Sequence, residues 1–290
     1  MTDSGKFVSP LQLSRALGLG ESTVKRWIDQ GRVPASKTPG GHRRIPLHAA
    51  LGYVREAGLA LVDPAALGLL LGGDATPQAL RDLLAAGLPH AVISLVERVY
   101  AGGMTAPQLA DDWIAPAMTS IGHDWETGDL PVTREHSASS IATRALHALL
   151  RTYAPAADRP LAFVAGLSGD PYVLAGLCAE LTLCEVGYRV VNFGADTPLD
   201  SLADAVKQDT PALVALSLST PPTAASSDAL RARLAEAVRG AGSALILGGR
   251  GMRPELVDEL GATAWCRSMR ELQRLAEHLR APQRSLSAAV

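Results

Sequence analysis

Apolar and polar positions follow one rhythm in the first half of the chain and another in the second. In residues 1–57 the rhythm is that of short helices. Ser9-Pro10 predicts an N-cap and first helical residue for a helix Leu11 to Leu17, because Ser accepts an orphan amide and Pro needs no donor there. Gly18 and Gly20 predict a turn, Ser22 a cap, and Thr23 to Gln30 a second helix that Gly31 ends. Val24, Trp27 and Ile28 lie three and four apart, on one apolar face. A basic Gly/Pro turn, Lys37-Thr38-Pro39-Gly40-Gly41-His42-Arg43-Arg44-Ile45, precedes a third helix, Leu47 to Ala57. Residues 58–75 read as a linker carrying a short helix. From Thr76 to Tyr153 the pattern is helical throughout. Gly87-Leu88-Pro89, Gly102-Gly103 and Gly128-Asp129-Leu130-Pro131 divide it into four segments, which predicts a four-helix bundle over 76–153.

After a Pro/Ala linker, Ala154 to Pro160, strands of buried character alternate with helices. Strands are expected at Leu161–Ala165, Arg189–Phe193, Ala212–Leu218 and Ala244–Leu247. Helices are expected at Val173–Val186, Leu199–Gln208, Ser227–Gly240 and Pro254–Leu260. Such alternation is the pattern of a doubly wound parallel sheet. The expected fold class is therefore α and α/β multidomain: a winged helix-turn-helix (1–57), the linker, the four-helix bundle, and a Rossmann-like α/β domain (160–281) with a frayed end beyond.

Charge changes this picture by singling out the head. Residues 1–57 hold nine Lys/Arg and four acids, a net +5, against −7 for the remainder. A positive head on a negative body points to a polyanionic partner for the head alone. No apolar run is long enough to span a membrane and the N-terminus lacks a signal-peptide core, so a cytoplasmic protein without membrane contact is expected. Cys178, Cys184 and Cys266 lie in apolar surroundings without a metal-finger spacing and read as small buried hydrophobes. No Walker loop, metal triad or Ser-His-Asp order is present, and Gly166-Leu167-Ser168-Gly169 lacks the nucleophile-elbow pattern. The chain is not expected to be an enzyme.

The second helix offers Thr23, Lys25 and Arg26 to a major groove, and the glycine-hinged turn places Lys37, His42, Arg43 and Arg44 where they reach phosphates. The helix-turn-helix Leu11–Gln30 followed by Pro39-Gly40-Gly41-His42-Arg43-Arg44-Ile45 resembles the MerR family of regulators. The resemblance implies double-stranded operator DNA as partner and a homo-oligomer, dimer or tetramer.

In the bundle, Trp125 precedes Glu135 and His136 by about one loop, and Thr133 is expected to cap the helix that carries them. Taken alone, these residues fit core plus surface as well as a site. Bundle and α/β domain together, however, look like the cobalamin-binding region of the CarH/LitR-type photoreceptor regulators. There a Trp, nine residues and Glu-His cover the upper face of adenosylcobalamin, and Trp125, Glu135 and His136 match. Asp196 and Thr197 match the loop after the second strand; Ser217 and Ser219, with Gly248 and Gly249, match the loops that receive the nucleotide tail. These loops fall at carboxyl ends of strands, where open α/β sheets bind ligands. Two departures stand out. Tyr172 occupies the position of the cobalt-ligating His, and Glu126 follows Trp125 where the photoreceptors carry their second His. A phenol is a poorer cobalt ligand than imidazole, so a switch that ends in a doubly His-ligated cobalt is not expected. Three readings stay open: cobalamin with its own base or water below the metal, another small-molecule effector in the reused cavity, or regulation without a ligand. The resemblance implies repression, with occupancy altering domain packing and thereby the oligomer. On the sequence alone, Arg43→Ala is expected to weaken binding to all DNA sequences alike and to flatten its salt dependence, which a salt titration of DNA affinity measures.

Overall fold

The computed structural model describes residues 7–59, 62–67, 75–153, 157–221 and 230–280. The chain forms two compact units, Met1–Ala154 and Pro155–Val290.

In the first unit a small head precedes the bundle. Strand β1 (Phe7–Val8) leads into α1 (Pro10–Leu17). Ser9 accepts from the Gln12 amide while the Gln12 side chain returns the bond, so two orphan donors at the helix start are satisfied. Helix α2 is Glu21–Asp29, capped by Gly20 without a side-chain bond. The expected cap at Ser22 is thus corrected: the chain enters the helix two residues earlier, and Ser22 lies inside it. Strands β2 (Ser36–Lys37) and β3 (Arg43–Pro46) make the wing, and helix α3 (Leu47–Glu56) follows. The sheet order is β1-β3-β2, antiparallel. The wing turn closes where Thr38 donates its amide to His42 and Gly41, at φ +79°, donates to Thr38; the left-handed conformation is one a side chain resists. Leu13, Val24, Ile45 and Ala50 are fully buried at the centre, and the Trp27 ring packs on Tyr53 with centroids 5.0 Å apart. A short 3₁₀ turn, Pro64–Leu67, adds Leu67 to the same core.

The bundle comprises α4 (Pro77–Ala85), α5 (Pro89–Ala101), α6 and α7 (Val132–Leu150). Helix α6 runs through three stretches: Ala106–Gln108, a π turn Leu109–Ile114, and Ala115–Thr127. The wide turn sits directly before Pro116, which has no amide to donate, and within it Ala115 donates five residues back to Ala110. A local widening of this kind admits the proline ring that a regular helix would exclude. On α7, Ala138, Ile141, Ala142, Ala145, Leu146 and Leu149 are buried at three- and four-residue spacing, a single apolar stripe facing the other helices. Pro131 occupies the N-cap position of α7, so the expectation that Thr133 caps it is corrected; Thr133 is a second-position residue inside the helix.

The second unit is a five-stranded parallel sheet in the order β5-β4-β6-β7-β8: β4 (Leu161–Gly166), β5 (Arg189–Asn192), β6 (Leu213–Ser217), β7 (Ala244–Gly248) and β8 (Ala264–Trp265). The helices are α8 (Leu174–Val186), α9 (Leu199–Asp209), α10 (residues 230–240, its first six a π turn), α11 (Pro254–Glu259) and α12 (Met269–Arg280). The strands divide their residues between two cores with a period of two. Phe163, Ala165, Val214, Leu216, Leu245 and Leu247 pack under α9, α10 and α11. Ala162, Val164, Leu213, Ala215, Ala244 and Ile246 pack under α8 and α12. Both faces are covered, which is why the strands read as near-continuous apolar runs. Strand β8 and helix α12 were not among the expected elements. The start of the helix expected from Ser227 and the frayed end beyond Arg280 lie outside the described residues.

Burial pushes the Cys184 thiol from 9.0 up to about 12, with Glu180 adding to the rise, and burial with Glu271 pushes Cys266 up to about 11. Both thiols are therefore neutral, and their contribution to stability is intact below pH 9 and is lost as the pH climbs through 11 and 12. Two outcomes are expected. Neither thiol alkylates in the native chain at pH 8 on the timescale of the denatured one, as mass spectrometry reads; and Ile141→Ala lowers unfolding free energy in denaturant by about 2–5 kcal/mol.

Candidate functional site

The head sorts its cations by partner. Lys25 pairs with Glu21 one turn earlier, at 3.0 Å. Arg43, expected to reach phosphate, instead places its guanidinium 2.5 Å from Asp29 at the end of α2, with three quarters of its side chain covered. It therefore fastens the wing to the second helix. Arg44 lies over the Phe7 ring, 4.1 Å from its centroid, and Arg32 over Tyr53 at 5.4 Å. Both still present charge at an exposed edge. Arg26 stands exposed on the outer face of α2, with Thr23 half-buried on the same helix; Lys37 and His42 are exposed on the wing. A short helix with an outward cation, beside a two-stranded wing with its own, is an arrangement that grips a duplex across groove and backbone.

At the far end of the bundle, Trp125 lies in the last turn of α6 and is 46% exposed, a large apolar ring left open to solvent. Its neighbour Asp124 is ion-paired with Arg81 of α4, which anchors that turn. Leu130 donates to the Asp124 carbonyl at 2.9 Å, so the connection to α7 folds back tightly. Glu135 then falls in the first turn of α7, where the helix dipole favours a carboxylate. It accepts from Ser139 at 2.9 Å and stands 3.6 Å from His136, whose ring is open to solvent. Topology thus brings Trp125, Glu135 and His136 to one end of the bundle.

In the second unit the named residues collect at the carboxyl ends of β4 to β7. Asp170, 5% exposed, holds the loop after β4: one carboxylate oxygen accepts from the Tyr172 amide at 3.0 Å, the other from the Ser219 amide at 2.6 Å. Asp196, a non-glycine residue at φ +49°, accepts from the Gly169 amide at 2.6 Å and donates its own amide to Asp170 at 3.0 Å. The strained conformation persists because both ends are held. Thr197 donates its hydroxyl to Gly194 and pairs with Leu167. Sequence reasoning singled out Tyr172 and Asp196 but gave Asp170 no role; the signal available was an Asp directly before Pro171, a pairing that favours a turn. Tyr172 is 55% exposed at the tip of this clasped loop.

Two further features bear on a ligand. The hydroxyl of Ser217, at the end of β6, is buried with no hydrogen-bond partner among the described residues, and a buried polar atom left so is costly unless something else supplies the bond. Gly248 meets only the Cys266 carbonyl at van der Waals distance, whereas a Cβ on Gly249 would overlap the backbone of Leu218. On the side where a Cβ would point from Gly249, the space is therefore taken by the neighbouring loop. A groove of about 590 Å³ between α9 and α10, lined by Asp200, Lys207, Arg233 and Glu236 among others, involves none of the residues named from the sequence. Among the described residues no cluster of His, Cys, Asp and Glu could hold a metal ion, and no helix is long and apolar enough to cross a membrane.

Comparison with known proteins places these parts. Residues 8–49 match the family described as helix-turn-helix domain, and residues 77–150 the family described as B12 binding domain. The chain is homologous to two repressors of Myxococcus xanthus. It is 27% identical over 218 residues to the HTH-type transcriptional repressor CarA, covering 71% of this chain and 74% of that one. It is 32% identical over 107 residues to the HTH-type transcriptional repressor CarH, covering 37% and 36%. The fold of the monomethylamine corrinoid protein of Methanosarcina barkeri aligns with a TM-score of 0.57 at 18% identity, over 69% of this chain and 96% of that one.

Of the wing cations expected to reach phosphate, Arg43 also carries the tie to Asp29, whereas Lys37 is exposed. Lys37→Ala is expected to weaken binding of all duplexes about equally and to reduce the salt slope by about one, in fluorescence anisotropy across a salt series. Arg43→Ala and Asp29→Asn are expected to weaken binding by similar factors and not to add in the double variant, because both break the same tie.

Proposed function

We propose that this chain, a homologue of the CarA and CarH repressors, is a DNA-binding transcriptional regulator that represses, with a helix-turn-helix head of MerR type and a cobalamin-type sensor behind it. The observation that carries the reading is the head itself. Its core is complete, its wing is tied to α2 by Arg43 and Asp29, and its outward cations, Arg26 and Lys37, are left for a polyanion. Phosphate contact supplies affinity, and side chains of α2 supply the choice of base. The partner is double-stranded operator DNA, bound by a homo-oligomer whose paired heads engage paired half-sites. The chain carries out no catalysis of its own.

The residues present fit the organic parts of a corrinoid. Trp125 offers an apolar ring, and the unpartnered hydroxyl of Ser217 offers a buried donor. They do not supply a histidine below the metal, since Tyr172 stands at that position and its phenol ring is largely open to solvent. We therefore assign the effector as a cobalamin that carries its own lower base or a water. Each unit offers its own candidate residues for it: Trp125, Glu135 and His136 in the bundle, and Tyr172, Asp196, Thr197, Ser217, Ser219 and Gly248 in the α/β unit. When bound, the group would supply a cobalt centre capable of ligand exchange. The chain's own part is to orient the corrin and to exclude water from Ser217.

Anisotropy with the full-length chain and duplex DNA from upstream of its own gene tests the reading. Specific binding is expected in the dark, altered in affinity at least fivefold by adenosylcobalamin, and unchanged by illumination beyond the loss of the adenosyl group. Binding no tighter than to unrelated DNA would defeat the regulator reading. An absorption spectrum unaltered by adenosylcobalamin or hydroxocobalamin would defeat the effector assignment alone.

A further inference from the structure

Glycine in the interior of a helix costs about 1 kcal/mol relative to alanine, so Gly52, in the middle of α3, needs a reason. The structure supplies one. Gly52 is buried, and a Cβ there would overlap the carbonyl oxygen of Thr152 and come within 3.2 Å of its carbon. Thr152 lies just beyond α7 and is itself buried; its hydroxyl donates to Leu149 at 2.7 Å and so keeps the end of the helix wound. The third helix of the head is thus packed, backbone on backbone, against the end of the bundle. Two more contacts widen the joint. Ala101, the last residue of α5, packs against the head's core. The adjacent Tyr100, 5% exposed, meets the hydroxyl of Tyr153 at 2.5 Å and ties the ends of α5 and α7 together.

Helix α7 has Glu135 in its first turn and Thr152 just past its last. At ~1.5 Å per residue the two are about 25 Å apart along one rigid element. We infer that α7 is a lever between the candidate ligand residues and the DNA-binding head, with Gly52 as the positioning residue that lets α3 seat on its far end. A displacement of the first turn of α7 then reaches the orientation of α2 through packed backbone, not through the linker. The inference rests on the DNA-binding reading for its consequence, but the joint itself is measurable without DNA.

Hydrogen exchange on the full-length chain tests it. Duplex from upstream of the gene is expected to slow exchange across residues 8–46 and also, by about tenfold, at 147–153. In Gly52→Val the first set still slows and the second does not. Protection confined to the head in the wild type, or reaching 147–153 equally in the variant, would overturn the lever. Thermal unfolding without DNA gives an independent answer: Gly52→Val is expected to split one head-and-bundle transition into two, and an unsplit transition counts against the joint. Should Gly52→Val fail to fold, Tyr153→Phe removes the tyrosine contact without touching α3 and is expected to loosen exchange at 147–153 severalfold; no change there would overturn the inference. A wild type that binds no duplex, with its single transition split only in Gly52→Val, refutes the DNA-binding reading and leaves the joint standing.

Discussion

Reading a duplex requires that the second helix and the wing keep a fixed angle, because one enters the groove while the other follows the backbone. In this head the angle is held by Arg43 reaching across to Asp29. A pair this open on the Asp29 side contributes roughly 0–1 kcal/mol to stability, so its effect is directional: it spends a cation on geometry, while Arg26 and Lys37 stay exposed. Trp27 on Tyr53 and the buried Ile45 hold the same angle from the core side.

In the α/β unit the loops at the strand ends are held from within. The Asp170 carboxylate is satisfied by backbone amides, of Tyr172 and of Ser219. Asp196 completes the clasp from the opposite loop. The loops after β4, β5 and β6 are therefore held together by the chain's own groups. The Ser217 hydroxyl is one of several buried polar atoms without a partner among the described residues, and it lies at the strand ends, where open α/β sheets take ligands.

Much of the fold was legible because the signals were local. Ser9-Pro10, Gly31 and Gly128 mark helix ends through capping and backbone conformation, and the strands of the sheet announce themselves by apolar runs. The caps expected at Ser22 and Thr133 failed because a glycine and a proline, each placed two residues earlier, already set the extended backbone a cap requires. Strand β8 has two residues, too few for any period to register. At the candidate site, residue types were legible but partners were not. That Arg43 is tied to Asp29, that Gly249 gives room to Leu218, and that Gly52 gives room to Thr152 are contacts between segments distant in sequence, which only packing reveals.

The most direct measurement of the central claim is an ethylation-interference footprint of the full-length chain on the DNA upstream of its own gene. The account predicts two matched clusters of essential phosphates, spaced by whole helical turns, each spanning a major groove and its flanking backbone. Interference that is uniform along the fragment, or absent at low ionic strength, would contradict it.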